Sequence, residues 1–551
     1  MFFDEEKLEK IKQVLNGYGA NNIHLISTSK NTVSLKFDIS LDKTQVCLGL
    51  AFQNSFLWTS PPSFTILTRP LPALDHVGHD GLICTTDHQG ENFNGNNHEE
   101  LIAFFLEKTI EILDKSFSNL ASNNRTSLYN ELEGYLNSIS SVTSNVILHC
   151  DPVSTSEMYG WVRKTGKQNP SVEHIDDGKN AYINRAHLTK VQIKRILLDD
   201  SSVFPIPNID TDFTENDFFK VIESLPTAIN KDLLKTGNHN VLIGIPNEHG
   251  FAYLLFTYSI WYKFNKQILF QNFKISLIQR AWQAYLLNRT GQEKIERHVA
   301  ILGCGALGSK IAEILAQTGI SKFSFIDPDK LTTDNIYRHS LGLPKVNNAK
   351  SIALAEKLKL ERPGLAIFPF RNNAEEWIKT SNIEDVDTII IAIGHTPTEI
   401  SLVRSIYGLN KNFHVIVAWV EPYNLGGHFI SFNNKQLGCL NCLYFDEKSN
   451  KSLLPKYKYV TSGQLLAKNI TGCAGAFTPF SSLNCVKLAS YVGEYTLNNR
   501  TGFVSLSGDD INSKKNGVST TQFYNDVSNS NGFKILSLSE IYEEVCPCCN
   551  T

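Results

Sequence analysis

Residues 298–327 read HVAILGCGALGSKIAEILAQTGISKFSFID. Val299–Gly303 is a short apolar run. Gly303, Gly305 and Gly308 then punctuate a loop, Ser309–Gln317 has helical spacing, and Lys322–Asp327 is a second strand-like run. Strand, glycine loop, helix and strand together predict a βαβ unit. The first two glycines permit a tight turn and a close approach of backbone to phosphate, which then faces a helix N-terminus. Asp327 ends the second strand, 24 residues after Gly303. An acidic side chain there can hold ribose hydroxyls. Alone, these features predict an adenine nucleotide or dinucleotide and nothing finer.

Working outward, Thr388–Ile393 and His414–Val420 read as further strands of an α/β sheet, and residues 281–551 form one domain. Lys448–Asn469 is polar and reads as a crossing loop. At the other end, Leu8, Ile11, Val14 and Leu15 share a face of a helix over residues 4–18. Strands are expected at Asn22–Ser27, Thr32–Ile39 and Gln45–Phe52, then a proline-rich loop over Ser60–Asn97 and a helix over Glu99–Ser116. That order predicts an α+β domain over residues 1–150. Residues 151–280 read as a linker or intermediate domain of unknown role, with Val241–Ile245 a buried strand. No internal repeat is visible.

The chain has 551 residues, 42% hydrophobic and 19% charged, with a net charge of -3. This lacks the basic footprint of a nucleic-acid binder. No apolar run reaches the roughly 20 residues that span a bilayer. The acidic start MFFDEEKLEK is unlike a signal peptide. A cytoplasmic protein is expected, and its 11 cysteines are then metal ligands, reactive thiols or core residues rather than disulfides.

Spacing separates them. Cys439 and Cys442, with Cys546 and Cys549, make two C-x-x-C pairs able to supply four thiolates to Zn²⁺. Cys548 lies inside the second pair and competes with its neighbours. Cys473, in NITGCAGAFTPF, sits among small residues and reads as an exposed nucleophile. Cys485 follows a helical apolar pattern and reads as core, and Cys304 fits within the glycine loop. Cys84 lies in LPALDHVGHDGLICTTD, after a proline-rich approach and a polar turn.

The stretch IDPDKLTTDNIYRHSLG continues to VNNAKSIALAEKL. Asp327, Asp329, Asn335, Arg338 and Lys350 there resemble the adenylating family of ThiF, MoeB and the ubiquitin-activating enzymes. The resemblance implies a Rossmann-like adenylation domain using ATP and Mg²⁺. Gly303, Gly305, Gly308 and Asp327 would bind nucleotide, while Asn335, Arg338 and Lys350 contact phosphates. Cations at those places neutralise charge as a carboxylate attacks the α-phosphate. The family's Mg²⁺-binding Asp is missing: Gly394 or His395 stands there, and Glu399 is the nearest carboxylate. The segment around Cys473 resembles the catalytic-cysteine segment of activating enzymes.

Gly81 and Cys84, with the preceding helix and strands, resemble ubiquitin-conjugating enzymes. The His-Pro-Asn triplet is absent, and His76 stands eight residues before Cys84, where its Asn would be. His76 can donate a hydrogen bond to an oxyanion, with His79 a competitor. A conjugating-like domain ahead of an activating-like one resembles the bacterial fusion proteins of CBASS antiphage operons. The resemblance implies that the C-terminus of a cGAS/DncV-like nucleotidyltransferase is the partner, activated and passed from Cys473 to Cys84 and then to an acceptor protein or small amine, in a homodimer without nucleic acid or membrane. The competing expectations are a sulfur-carrier adenylyltransferase of ThiF/MoeB type, an NAD- or FAD-dependent oxidoreductase, and a non-catalytic nucleotide-sensing scaffold.

Overall fold

The structure is a computed structural model. It describes residues 5–42, 44–55, 57–86, 93–139, 141–163, 171–178, 187–199, 202, 204–262, 268–380, 383–445, 454–469 and 476–550. The chain divides into two compact units, Met1–Arg280 and Ala281–Thr551. No helix among the described residues is long and apolar enough to cross a membrane.

The first unit begins with helix α1 (Glu5–Gly17), whose Ile11 and Leu15 are buried. An antiparallel sheet follows in sequential order: β1 (Asn21–Thr28), β2 (Thr32–Ser40), β3 (Gln45–Gln53), β4 (Ser63–Ile66) and β5 (Leu82–Ile83). β2 and β3 alternate buried and less buried residues, the period of a sheet with one covered face. Helix α2 (His98–Ala121) covers that face through Ile102, Phe105, Leu106 and Leu113. It runs five residues beyond the predicted end, because the expected stop at Ser116 is a buried residue whose hydroxyl donates to the Asp75 carbonyl at 2.9 Å. Short helices α3 (Thr126–Asn130) and α4 (Leu132–Asn137) come next.

The remainder of this unit is a closed barrel, where the sequence suggested one strand. β6 (Val142–Leu148), β7 (Met158–Arg163), β8 (Val172–Asp176) and β9 (Leu188–Leu197) join β10 (Gly237–Asn247), β11 (Gly250–Tyr262) and β12 (Ile268–Arg280). Their order around the barrel is β10-β11-β12-β6-β8-β7-β9. Helices α5 (Glu215–Ser224) and α6 (Thr227–Leu233) lie between β9 and β10 in the chain. One apolar cluster runs from Phe37 and Leu106 through Phe218 to Phe256 and Ile275, so sheet and barrel share a core.

In the second unit, helix α7 (Gln283–Asn288) leads into β13 (Ile295–Leu302), α8 (Ala306–Gln317) and β14 (Ile320–Ile326). Then follow α9 (Lys350–Glu361), β15 (Ala366–Phe370), α10 (Ala374–Thr380), β16 (Thr388–Ile391), α11 (Thr396–Tyr407) and β17 (His414–Glu421). These five strands are parallel, in the order β15-β14-β13-β16-β17. The chain thus reverses direction across the sheet between β13 and β16, and ligands of open α/β sheets bind at such a point. β18 (Gly426–Asn433) extends the sheet antiparallel beside β17. After the small pair β19 (Lys468–Asn469) and β20 (Ala476–Phe477) and helix α12 (Ser482–Asn498), β21 (Gly502–Ser507) and β22 (Phe533–Leu536) complete eight strands. One face packs α8, α9 and α12, and the other packs α10 and α11. The stretch expected as a polar crossing loop holds Tyr459, fully buried with its ring 4.3 Å from that of His428.

Candidate active sites

The glycine loop joins β13 to α8, and α8 starts at Ala306, three residues before the expected Ser309, because Gly305 caps it. Space dictates two of its glycines. Gly303 has φ +92, and a Cβ there would meet the Ala392 carbonyl oxygen at 2.7 Å. A Cβ on Gly308 would lie 1.9 Å from the Gly303 carbonyl oxygen, so glycine lets helix and strand approach. Gly305 has open space beside it. The α8 N-terminus opens into a cavity of about 450 Å³ lined by Gly305, Ala306, Gly394, Glu399, Trp419 and Phe480, among others. The cavity lies between the ends of β13 and β16, at the reversal of strand order.

Asp327 is buried and braces the loop. Its carboxylate accepts from the backbone N–H of Cys304 and of Asp329, both at 2.8 Å. Burial raises the Asp327 carboxyl, while Lys350 and those two N–H groups lower it. The Lys350 ammonium lies 2.9 Å from the Asp329 carboxylate. Asn335 donates to the Thr332 hydroxyl, and the Arg338 guanidinium lies 4.9 Å from the centre of the Phe480 ring. Asp327 thus holds the loop with Lys350 nearby, Arg338 is stacked on a residue of the cavity wall, and Asn335 is placed only against Thr332.

One contributor escaped the sequence, and a second was read there only as the nearest carboxylate. His339 locks the glycine loop to the segment carrying Arg338: its Nε2–H donates to the Cys304 carbonyl at 2.7 Å, and its Nδ1 accepts from the Leu341 N–H at 3.0 Å. Both nitrogens are used in one neutral tautomer, and burial pushes the ring's pKa down to about 4. His414, buried against Ser431, is also pushed down to about 4 by burial. The native state thus disfavours protons that the unfolded chain accepts near pH 6.5. The stability tied to each neutral ring is complete above pH 6.5 and is lost as pH falls toward 4, by up to about 3 kcal/mol per ring. Denaturant midpoints of the full chain should fall across that window, and His339→Asn should flatten the fall. An identical slope in the variant would remove His339 from the account.

The second contributor is Glu399. Of the two residues at the place of the missing Asp, Gly394 has φ +76. Glu399 instead turns inward from the first turn of α11, 3% exposed, and its carboxylate accepts the Gly394 N–H at 2.9 Å. Burial pushes its pKa up to about 6. A carboxylate so perturbed in a cleft fits a cation that would offset the cost of its charge. His395 is exposed and bonds Thr398 at 2.9 Å.

Cys439, Cys442, Cys546 and Cys549 converge with all four sulfurs within 4.8 Å of one another and buried. Two sulfur pairs are 3.8 and 3.5 Å apart. Thiolates about 2.3 Å from a tetrahedral Zn²⁺ lie about 3.8 Å apart, so the donor set fits that metal. We expect metal analysis to find about one Zn per chain, and Cys439→Ser or Cys546→Ser to lower metal content and stability together. A fully stable metal-free chain would contradict this. Cys485 and Cys304 are buried, and burial raises both thiols, as suits core residues. Cys473 lies outside the described residues.

In the first unit, residues 76–84 form a hairpin. Val77 bridges Ile83, the Gly78 N–H donates to the Leu82 carbonyl at 2.8 Å, and the Cys84 N–H donates to the His76 carbonyl at 2.7 Å. His76 and Cys84 therefore stand opposite each other. Gly81 turns the hairpin with φ +84, where a Cβ would meet the Ile66 carbonyl at 2.7 Å. Cys84 is exposed and shares with His76 a cavity of about 770 Å³ whose wall includes Pro61, Pro62, Glu131 and Tyr135. His79 is engaged elsewhere: its Nε2 lies 2.7 Å from the Thr211 carbonyl.

Residues 278–515 match the ThiF family model. A stretch of 208 residues is 25% identical to the ATP-dependent ubiquitin transferase-like protein Cap2 of Pseudomonas aeruginosa, covering 36% of each chain. The protein of the same name from Escherichia coli is 28% identical over 205 residues, 35% of this chain and 33% of that one. The tRNA threonylcarbamoyladenosine dehydratase of Haemophilus influenzae is 28% identical over 114 residues, 20% of this chain and 42% of that one. The chain thus spans about a third of the length of the Cap2 relatives it matches. The C-terminal unit is an α/β adenylation domain of ThiF type, and the resemblance to ThiF-containing conjugating enzymes holds.

Proposed function

We propose that this protein activates the C-terminal carboxylate of another protein with ATP and carries it as a thioester to an amine. The observation carrying this reading is the cavity at the reversal of strand order, floored by the braced glycine loop with Arg338 and Lys350 beside it. In this reading the backbone of Gly303, Gly305 and Gly308 admits the phosphates, and Asp327, already holding the loop, adds a ribose contact. Asn335, Arg338 and Lys350 meet the charge that develops as pyrophosphate leaves. Glu399 would hold Mg²⁺, which when bound neutralises phosphate charge. The Cys439 cluster holds Zn²⁺ and ties the chain's last residues to the sheet.

The acyl group then moves to Cys473 and on to Cys84, and an amine takes it to form an amide. An N-terminal unit built as a helix, an antiparallel sheet, a cysteine hairpin and a second helix supports the conjugating role, as do relatives named as ubiquitin transferase-like. The partner we favour is the C-terminus of a cGAS-like nucleotidyltransferase in antiphage defence, with a homodimer in the cytoplasm as the working form. Purified protein with that partner should exchange labelled pyrophosphate into ATP. Exchange that ignores the partner, or none with any carboxyl-bearing partner, would overturn the reading.

A further inference from the structure

Glu131 makes a contact that the activation scheme does not use. It stands where α3 ends and α4 begins, 55 residues from His76. One carboxylate oxygen accepts the His76 backbone N–H at 2.8 Å, and the other lies 2.6 Å from His76 Nδ1. His76 has φ +54, a left-handed backbone uncommon outside glycine, so both its backbone and its ring are held in a conformation the chain does not favour by itself. His76, Glu131 and Cys84 line one cavity, and His76 and Cys84 face each other across the hairpin. The clamp is braced behind, where Asn119 donates to the Asp75 carboxylate at 2.6 Å and Ser116 donates to the Asp75 carbonyl.

We propose that Glu131 is a positioning residue for thioester chemistry at Cys84: it holds His76 by Nδ1–H, so that Nε2 is left for the acyl group on Cys84. The inference rests on the conjugating reading of the N-terminal unit. The chemistry follows from the geometry. The lone pair of a neutral amine forms a C–N bond to the thioester carbonyl, whose π pair moves to oxygen. The Nε2–H of the His76 imidazolium donates to that oxygen. The C–S bond then breaks with its pair on the Cys84 sulfur, and the proton shed by nitrogen ends on that thiolate. His76 keeps its own proton throughout.

The groups facing His76 are Glu131, Asp75 next to it in the same turn, and Lys115 of α2. Its pKa is raised, first by the hydrogen bond to Glu131. A raised histidine pKa means the donor is present at lower pH and is lost as pH rises through that value. Removing the charge of Glu131 lowers that value and brings the loss to lower pH.

The test uses the full-length chain. A synthetic glycine-ended peptide thioester is exchanged onto Cys84, the acylated cysteine is located by mass, and discharge to hydroxylamine is timed across pH. The wild-type rate should fall on the alkaline side. Glu131→Gln, which keeps an acceptor for the backbone N–H, should slow discharge about tenfold near neutrality and move that fall down by about one pH unit. His76→Gln should abolish the fall, and it carries the test if Glu131→Gln does not fold. Wild-type rate and profile in Glu131→Gln, or a wild-type profile in His76→Gln, would overturn the proposal. Loading from a thioester bypasses adenylation. Failure to acylate Cys84 at all would therefore sink the conjugating reading, whereas an acylated but unshifted variant sinks only Glu131.

Discussion

Cys84→Ala should stop product formation completely and accumulate a partner adduct on Cys473 that reducing agent cleaves. The reason is the order of energies. An acyl adenylate is a mixed anhydride that water destroys, and a thiol rescues it as a thioester that keeps the acyl group activated. Exchange between two thiols is nearly level, and amide formation from the second is downhill. In the proposed relay Cys473, in the activating half, is loaded first. Cys84, exposed beside His76, would then be loaded second. Cys473→Ala should therefore still exchange pyrophosphate but load neither cysteine. On non-reducing gels with ATP and partner, Cys84 loading in the Cys473→Ala chain would show that Cys84 accepts directly from the adenylate, and the relay order would be wrong.

Lys350→Ala and Arg338→Ala should each cut pyrophosphate exchange by about 10²-fold or more, from the loss of about 2.7–4 kcal/mol of charge stabilisation in a closed site. The stability change should be much smaller. The Asp329 partner of Lys350 is 66% exposed, so water takes over on that side, while Lys350 itself is only 11% exposed and also offsets the buried Asp327, so its removal has some cost. A pair with one exposed partner is worth on the order of 1 kcal/mol. Arg338 gives up a stack on Phe480, also about 1 kcal/mol. Activity lost without a matching fall in denaturant midpoint separates chemistry from folding. Normal exchange in both variants would remove these residues from the site.

The adenylation domain was legible because its signals are local. Gly303 and Gly308 are fixed because an added Cβ would lie under 3 Å from backbone, and they show in the sequence as glycines at fixed spacing. The zinc-type cysteines likewise announce themselves as two C-x-x-C pairs. Residues whose role depends on distant partners were not legible. His339 sits next to Arg338 in sequence, but its partner is a carbonyl 35 residues earlier. Glu131 acts on His76 across 55 residues, with a long helix between them. Glu399 was noticed as a carboxylate, yet only the fold shows it turning into the cavity at the end of β16. The barrel was missed for another reason. β10 and β11 carry apolar runs, but β9 has only two buried residues and mixes Lys, Arg, Thr and Gln among its apolar ones. That composition reads as linker until pairing with β7 and β10 gives it a place.

The most direct test of the whole account is intact-protein mass spectrometry of the wild-type chain with ATP and the tail-bearing nucleotidyltransferase. The account predicts an ATP-dependent gain equal to the partner's mass less one water, mapped to Cys84 and removed by reductant. No adduct, or one that forms without ATP or survives reductant on Cys84, would contradict it.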